Sequence, residues 1–167
     1  LHSSNRRQRQ MCIRDSCGAL WADWWGFKHE AYDMVQANIA IVDQARNGTG
    51  CAIVHSDDER GIQRLNQEAA KAWSAGNRAG YNISKARAIN WITSNPAKAA
   101  GIYDRTGSIV AGKDADLVLW SKNPFSVYAL AEKVYIDGAL AFDREAGFYP
   151  VSDFDLGIIK PSGVRVE

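Results

Sequence analysis

The sharpest local feature of the sequence is Val54-His55-Ser56-Asp57. These residues close the run Cys51-Ala52-Ile53-Val54, which is short, rich in small and β-branched residues, and bounded by Thr49-Gly50 and a polar stretch. That is the pattern of a fully buried strand. Alternation along the strand sends His55 and Asp57 to one side and Ser56 to the other. In parallel α/β sheets and barrels the carboxyl ends of the strands host the active site. A carboxylate there can bind a metal, take a proton from metal-bound water and return it to a leaving group. Local sequence also supports plainer roles. Asp57 or Asp58 can cap the next helix, and His55 can be a satisfied, partly buried histidine.

The elements around this strand are legible from periodicity. Tyr32, Val35, Ile39 and Val42 recur at helical spacing and predict one amphipathic helix from Tyr32 to Arg46, stopped at Asn47-Gly48. A second helix follows Ser56-Asp57-Asp58-Glu59, with Ile62, Leu65, Ala69, Ala72 and Trp73 on one face. Ser84 caps a third helix carrying Ala86, Ile89 and Ile92. Asn95-Pro96 restarts a short one that Gly101 ends. Beyond Gly107 the texture turns to strands at Asp116–Trp120, Lys133–Ile136 and Ala139–Phe142, the last two joined by a hairpin at Asp137-Gly138. Signals weaken from Arg144 onward, and no internal repeat is apparent. This order suits an α/β unit followed by a small β module.

The linking segment carries a longer pattern, Thr106-Gly-Ser-Ile-Val-Ala-Gly-Lys-Asp-Ala-Asp-Leu-Val-Leu-Trp120, preceded by Asn95-Pro-Ala-Lys-Ala-Ala-Gly-Ile102. It resembles the carboxy-terminal signature of the amidohydrolase superfamily of metal-dependent hydrolases. Within that family the chain is most similar to the imidazolonepropionase-related amidohydrolases. The resemblance spans Asp23 to Asp143. It implies an α/β fold: the carboxy-terminal part of a metal-bearing (β/α)8 barrel followed by strands of a composite β-sandwich. Residues 17–106 would be the last barrel units, 107–143 the sandwich strands and 144–167 a loop-rich tail.

By the same resemblance, Val54-His55-Ser56-Asp57 is the last barrel strand, and Asp57 is both a metal-site residue and the catalytic proton shuttle. Asp58 is then left to helix capping. His55 lines the pocket or supports Asp57 through a hydrogen bond. Asp23–Glu30 would be the loop after the seventh strand, near the active-site mouth. Lys28 and His29 become candidates for substrate contact, with a surface-loop role the alternative. Trp24, Trp25 and Phe27 either form an apolar wall, with Trp25 the substrate-contact candidate, or pack the loop on the barrel rim. The implied cofactor is a divalent metal, with zinc expected, and the implied substrate is a small molecule with an amide or cyclic amide C–N bond.

The family's His-x-His pair has no counterpart, because His29 and His55 are the histidines beyond His2. A catalytic zinc site takes three or more protein ligands, so the chain by itself is expected to be inactive. Two barrel units cannot close a barrel, and half a sandwich leaves strand edges unpaired. The isolated chain is therefore also expected to expose apolar surface and associate. Two other readings remain: a non-catalytic scaffold or partner-binding module with the same fold, and a free-standing α/β domain with a basic nucleic-acid arm.

Composition bounds these readings. The 167 residues are 46% hydrophobic and 23% charged, with a net charge of +1. Apolar runs such as Ile39–Val42 fall far short of the about 20 residues a membrane helix needs. Residues 1–16 hold four arginines and one aspartate, +3, and leave −2 on the remainder. Met11-Cys12-Ile13-Arg14-Asp15 resembles the translation of ATG TGT ATA AGA GAC, a transposon end ligated to DNA in some sequencing libraries. The segment is thus expected to be adapter-derived and the rest a carboxy-terminal fragment. Without that arm, neither nucleic acid nor membrane is an expected partner. Three cysteines, an odd count, point away from a disulfide framework, and Cys51 reads as a small core residue. Compartment and oligomeric state are not readable.

Overall fold

A computed structural model describes residues 17–22, 26, 28–56, 58 and 61–146. Trp25 and Asp57 lie outside these residues. Two strands, β1 (Gly18–Leu20) and β2 (Ala52–Val54), pair in parallel, with Gly18 opposite Ala52 and Leu20 opposite Val54. Ala52 and Val54 are buried, as the apolar run predicts for β2. The sequence offers no comparable signal for β1, because three residues without alternation or β-branching become a strand only when a partner holds them. Parallel pairing also corrects the reading of the cysteines. Cys17 and Cys51 stand side by side one residue before the ladder, their Cα atoms 4.5 Å apart, and are disulfide-bonded.

The first helix differs from the predicted Tyr32–Arg46. A 3-10 turn at His29–Ala31 is followed by turns, and α1 spans Asn38–Gly48. Ile39 is completely buried, whereas Tyr32 and Val35 are 77% and 56% exposed. Periodicity carries the apolar pattern through the turns, but Asn38 fixes where helical packing begins, its Nδ2 donating to the Trp21 carbonyl at 3.1 Å. At the far end Arg46, Asn47 and Gly48 all have positive φ, so the chain leaves the helix through left-handed backbone.

A 3-10 turn at Ile62–Arg64 leads into α2 (Leu65–Arg78). Ala69 and Ala72 are fully buried, while Leu65 and Trp73 pack at the core margin. Ile62 is exposed because the tighter turn carries it off the helical face. Helices α1 and α2 meet closely, since a Cβ on Gly76 would lie 2.5 Å from the Ala40 methyl.

Next come α3 (Lys85–Ala88), a 3-10 turn (Ile89–Ile92) and α4 (Ser94–Ala99). Ser84 caps α3 as predicted, its Oγ accepting from Arg87 N at 3.1 Å. The buried residues here are Ala88 and Trp91, whereas Ala86 is exposed. Three residues per turn across this segment rotate the face away from a 3.6-residue pattern. Pro96 sits in the first turn of α4, and Gly101 follows with φ +71°.

A polar network locks this layer. Asp43, 1% exposed, accepts from Arg87 Nε through both carboxylate oxygens at 3.0 Å and from Trp91 Nε1 at 2.8 Å. Arg87 Nη2 also donates to the Gly48 carbonyl at 2.6 Å, pinning the left-handed exit of α1.

Three antiparallel strands, β3 (Leu117–Trp120), β4 (Ala131–Ile136) and β5 (Ala139–Asp143), form a sheet in that order. The β4–β5 turn is the predicted Asp137-Gly138, both with positive φ, as a two-residue hairpin matched to strand twist requires. Leu117, Val118 and Leu119 on the edge strand β3 remain substantially exposed. The sheet joins the helical layer where Asn66 Nδ2 donates to Pro124 O at 2.6 Å and Phe125 lies against Trp73.

Candidate functional site

The carboxyl ends of β1 and β2 bring together two of the predicted site residues around a third residue. His55 follows β2 directly, and its N–H donates to the Leu20 carbonyl at 3.2 Å, extending the parallel pairing by one step. Its ring lies 5.7 Å from that of Trp21, the first residue after β1, at an interplanar angle of 46°. Lys28 Nζ stands 6.0 Å from the Trp21 ring centroid, within reach of a cation–π attraction. His55 and Trp21 are half-buried, and Lys28 is exposed. An aromatic face is thus bordered by an imidazole that can accept or donate and by a mobile-stemmed ammonium. That combination can hold a planar group and read a negative charge beside it.

Asp57 and Trp25, the other two predicted site residues, lie outside the described residues, as do Trp24 and Phe27. Their neighbours are clear. Ser56 is buried, and its Oγ donates to the Asp58 carbonyl at 2.9 Å while accepting from Asp58 N at 3.3 Å. Asp58 Oδ2 in turn accepts from Gly61 N at 3.0 Å. Asp58 therefore performs the turn-capping role ahead of α2. His29 sits exposed in the 3-10 turn after Lys28.

Trp21 is the site neighbour that periodicity misses. A different signal would have found it. Cys17-Gly-Ala-Leu-Trp21 and Cys51-Ala-Ile-Val-His55 share one pattern: cysteine, small residue, two apolar residues, then a ring. The parallel register aligns the two runs position for position.

The signature segment proves to be a clasp. Asp116 accepts from Thr106 Oγ1 at 2.8 Å and from Asp137 N at 3.1 Å, tying the loop to the hairpin. These two donors hold the Asp116 carboxyl below its ordinary value, the backbone N–H of Asp137 contributing most. Lys113 Nζ lies 3.7 Å from the Tyr103 ring centroid and donates to the Tyr103 carbonyl. Arg105 pairs with Asp114 at 2.8 Å. Gly107, at φ +84°, passes so close to α4 that a Cβ would lie 2.5 Å from the Ala97 methyl.

An open, largely apolar cavity of about 920 Å³ lies between α4 and β3, bordered by Ile92, Pro96, Ile102, Ser108, Val118 and Trp120. Its lining includes none of the predicted site residues.

Comparison with known proteins supplies the context for this geometry. The model of the Amidohydrolase family matches residues 59–144. Amidohydrolase tasK of Hapsidospora irregularis is 33% identical over 126 residues, 75% of this chain and 12% of that protein. Imidazolonepropionase of Shewanella oneidensis is 44% identical over 41 residues, 25% of this chain and 10% of that enzyme. The crystal structure of an amidohydrolase from Thermotoga maritima superposes with a TM-score of 0.59 at 35% identity, covering 70% of this chain and 28% of that one. The chain thus spans about an eighth of the first relative and just over a quarter of the solved structure.

Proposed function

This chain belongs to the amidohydrolase family, and on that premise we propose that it is the carboxy-terminal part of a metal-dependent hydrolase cleaving a C–N bond. In this reading the bond is an amide or cyclic amide of a small molecule, and neither nucleic acid nor membrane is a partner. Residues 17–106 are the last units of a (β/α)8 barrel, 107–143 are strands of a composite sandwich, and 144–167 are a tail. The subgroup is the imidazolonepropionase-related one.

One observation carries the reading. β2 is a buried strand, paired in parallel, whose carboxyl end runs directly into His55-Ser56-Asp57. Since the family match begins at residue 59, the role of Asp57 rests on this strand placement. Asp57 supplies the proton shuttle: its carboxylate accepts a proton from the hydrolytic water and returns it to the leaving nitrogen, giving acid and amine. His55 and Lys28, gathered around Trp21, together with Trp25, contact the substrate.

A divalent ion, zinc in this reading, supplies a water of lowered pKa and a polarised carbonyl when bound. Among the described residues no three His, Cys, Asp or Glu side chains cluster to hold a metal. They do not make that site alone, and the further ligands it needs have to come from outside them.

The test is Asp57→Asn in the intact protein that carries this chain, assayed for hydrolysis. Turnover should fall by roughly 10²-fold or more. Retention of most of the turnover would overturn the assignment.

A further inference from the structure

The Cys17–Cys51 bond lies at one end of the β1–β2 ladder, with the candidate site at the other. β1 and β2 are three residues each. The sulfurs precede the first paired residues, Gly18 and Ala52, and Trp21 and His55 follow the last, Leu20 and Val54. β1 is also held by its ladder with β2, including Gly18 N to Cys51 O at 2.8 Å, by the Asn38 bond to the Trp21 carbonyl, and by Leu20 packing at the core margin. Both cysteines are half-buried, so a small thiol or disulfide can reach them.

The surroundings also suit the reduced state. Cys17 Sγ lies 3.7 Å from the Asn95 carbonyl oxygen, beside the bond from Asn95 Nδ2 to Ala52 O at 2.8 Å. In the disulfide that sulfur carries no proton, and the approach is a packing contact. Once reduced, the thiol has an acceptor waiting at the distance a sulfur donor uses. Neither state leaves the sulfur without a partner.

We propose that Cys17 and Cys51 form a reversible thiol–disulfide site, a redox clamp that fixes the β1–β2 register and with it the Trp21–His55 contact. The co-reactant is a small-molecule disulfide. One protein thiolate attacks it and expels one small thiolate; the second protein thiolate then displaces the other from the mixed disulfide. Two protein thiols are oxidised, one small disulfide is reduced, and the two protons end on two small thiols. The inference is independent of the reaction assigned to Asp57.

The test uses the 167-residue chain with Cys12→Ser, equilibrated in oxidised or reduced glutathione buffer, quenched by alkylation and mapped by mass spectrometry. A peptide pair joined through Cys17 and Cys51 should dominate in the oxidised buffer and revert to two alkylated thiols in the reduced one. The bond closes a separation of 34 residues, and reduction should lower the melting midpoint by roughly 8 °C. The imidazole resonance of His55 should shift with the same redox dependence, and a further Cys51→Ser change should abolish both responses. Cysteines that alkylate in the oxidised buffer as fast as in urea would overturn the proposal. So would identical melts in the two buffers, or a redox response that survives Cys51→Ser.

Discussion

Replacing Arg87 by Met tests whether the Asp43 network holds the helical layer together. The stem and its packing are kept, while the guanidinium is lost. Asp43, 1% exposed, then keeps its uncharged donors Trp91 Nε1 and Gln44 Nε2 but loses the Arg87 guanidinium, and the Gly48 carbonyl loses its 2.6 Å donor. Breaking a buried pair from one side costs about 3–5 kcal/mol, because it strands a charge. The Arg87 side chain is 38% exposed, and water entering its place will soften that penalty to about 2–3 kcal/mol. For a chain of this length the midpoint should fall by about 4–10 °C. The discriminating measurement is a double-mutant cycle by urea or thermal unfolding. Asp43→Asn retains an acceptor for Trp91 and removes the charge, so adding Arg87→Met to it should cost only about 1 kcal/mol. A coupling energy of at least about 1 kcal/mol is expected. Arg87→Met costing less than about 0.5 kcal/mol, or additive changes, would show that the pair behaves as a surface ion pair and refute the reasoning.

Two further predictions concern the clasp. Gly107→Ala meets both a φ of +84° and the Ala97 methyl at 2.5 Å, whereas Gly112→Ala meets only a φ of +92° with open space around it. Urea titrations should therefore show about 2–4 kcal/mol lost at 107 against about 1 kcal/mol at 112. For pH, the Asp116 carboxyl titrates below its ordinary 3.8 in the folded state because of the Asp137 N–H and the Thr106 hydroxyl. Its contribution is present above 3.8 and is lost as the pH falls through the lower folded value. Asp143, lowered by the Glu145 N–H and by Lys133, acts in the same direction. Thermal melts taken from about pH 5 down to about pH 3 should fall more steeply for the parent chain than for Asp116→Asn.

Where the local pattern and the final environment agree, the fold is legible from the residues. Ala52–Val54 reads as a buried strand and is one; Ser84 reads as a cap and accepts from Arg87 N; Asp137-Gly138 reads as a hairpin turn and has the two positive φ values. Legibility fails where distant contacts decide. Gly18–Leu20 becomes a strand only beside β2, and Tyr32 and Val35 hold helical spacing on turns that never bury them. The 3-10 segments at 62–64 and 89–92 shift faces by fractions of a turn, which a 3.6-residue pattern cannot register. The disulfide is hidden by a count, since three cysteines look unpaired until a parallel register sets two of them side by side. His55 is singled out by its place at a strand end and Lys28 by the family resemblance, but Trp21, which both approach, needs the pairing of β1 with β2 to be seen.

The residues that make the family recognisable and those proposed to act chemically are different sets, and the structure gives the reason. Thr106, Gly107, Lys113 and Asp116 sit in one contiguous loop, so their spacing survives as a readable string. Each has a constraint local to that loop: Asp116 needs two donors, Gly107 needs φ +84° and no side chain, and Lys113 needs the Tyr103 ring and carbonyls. The site at the strand ends is assembled from separate runs, Trp21 with Lys28 and His55 with Ser56, brought together by a three-residue ladder. A constraint spread over two strands leaves no fixed spacing between them, only a shared pattern in each. Recognition through the clasp therefore identifies the scaffold, and chemistry has to be argued from what the carboxyl ends of β1 and β2 present to a substrate.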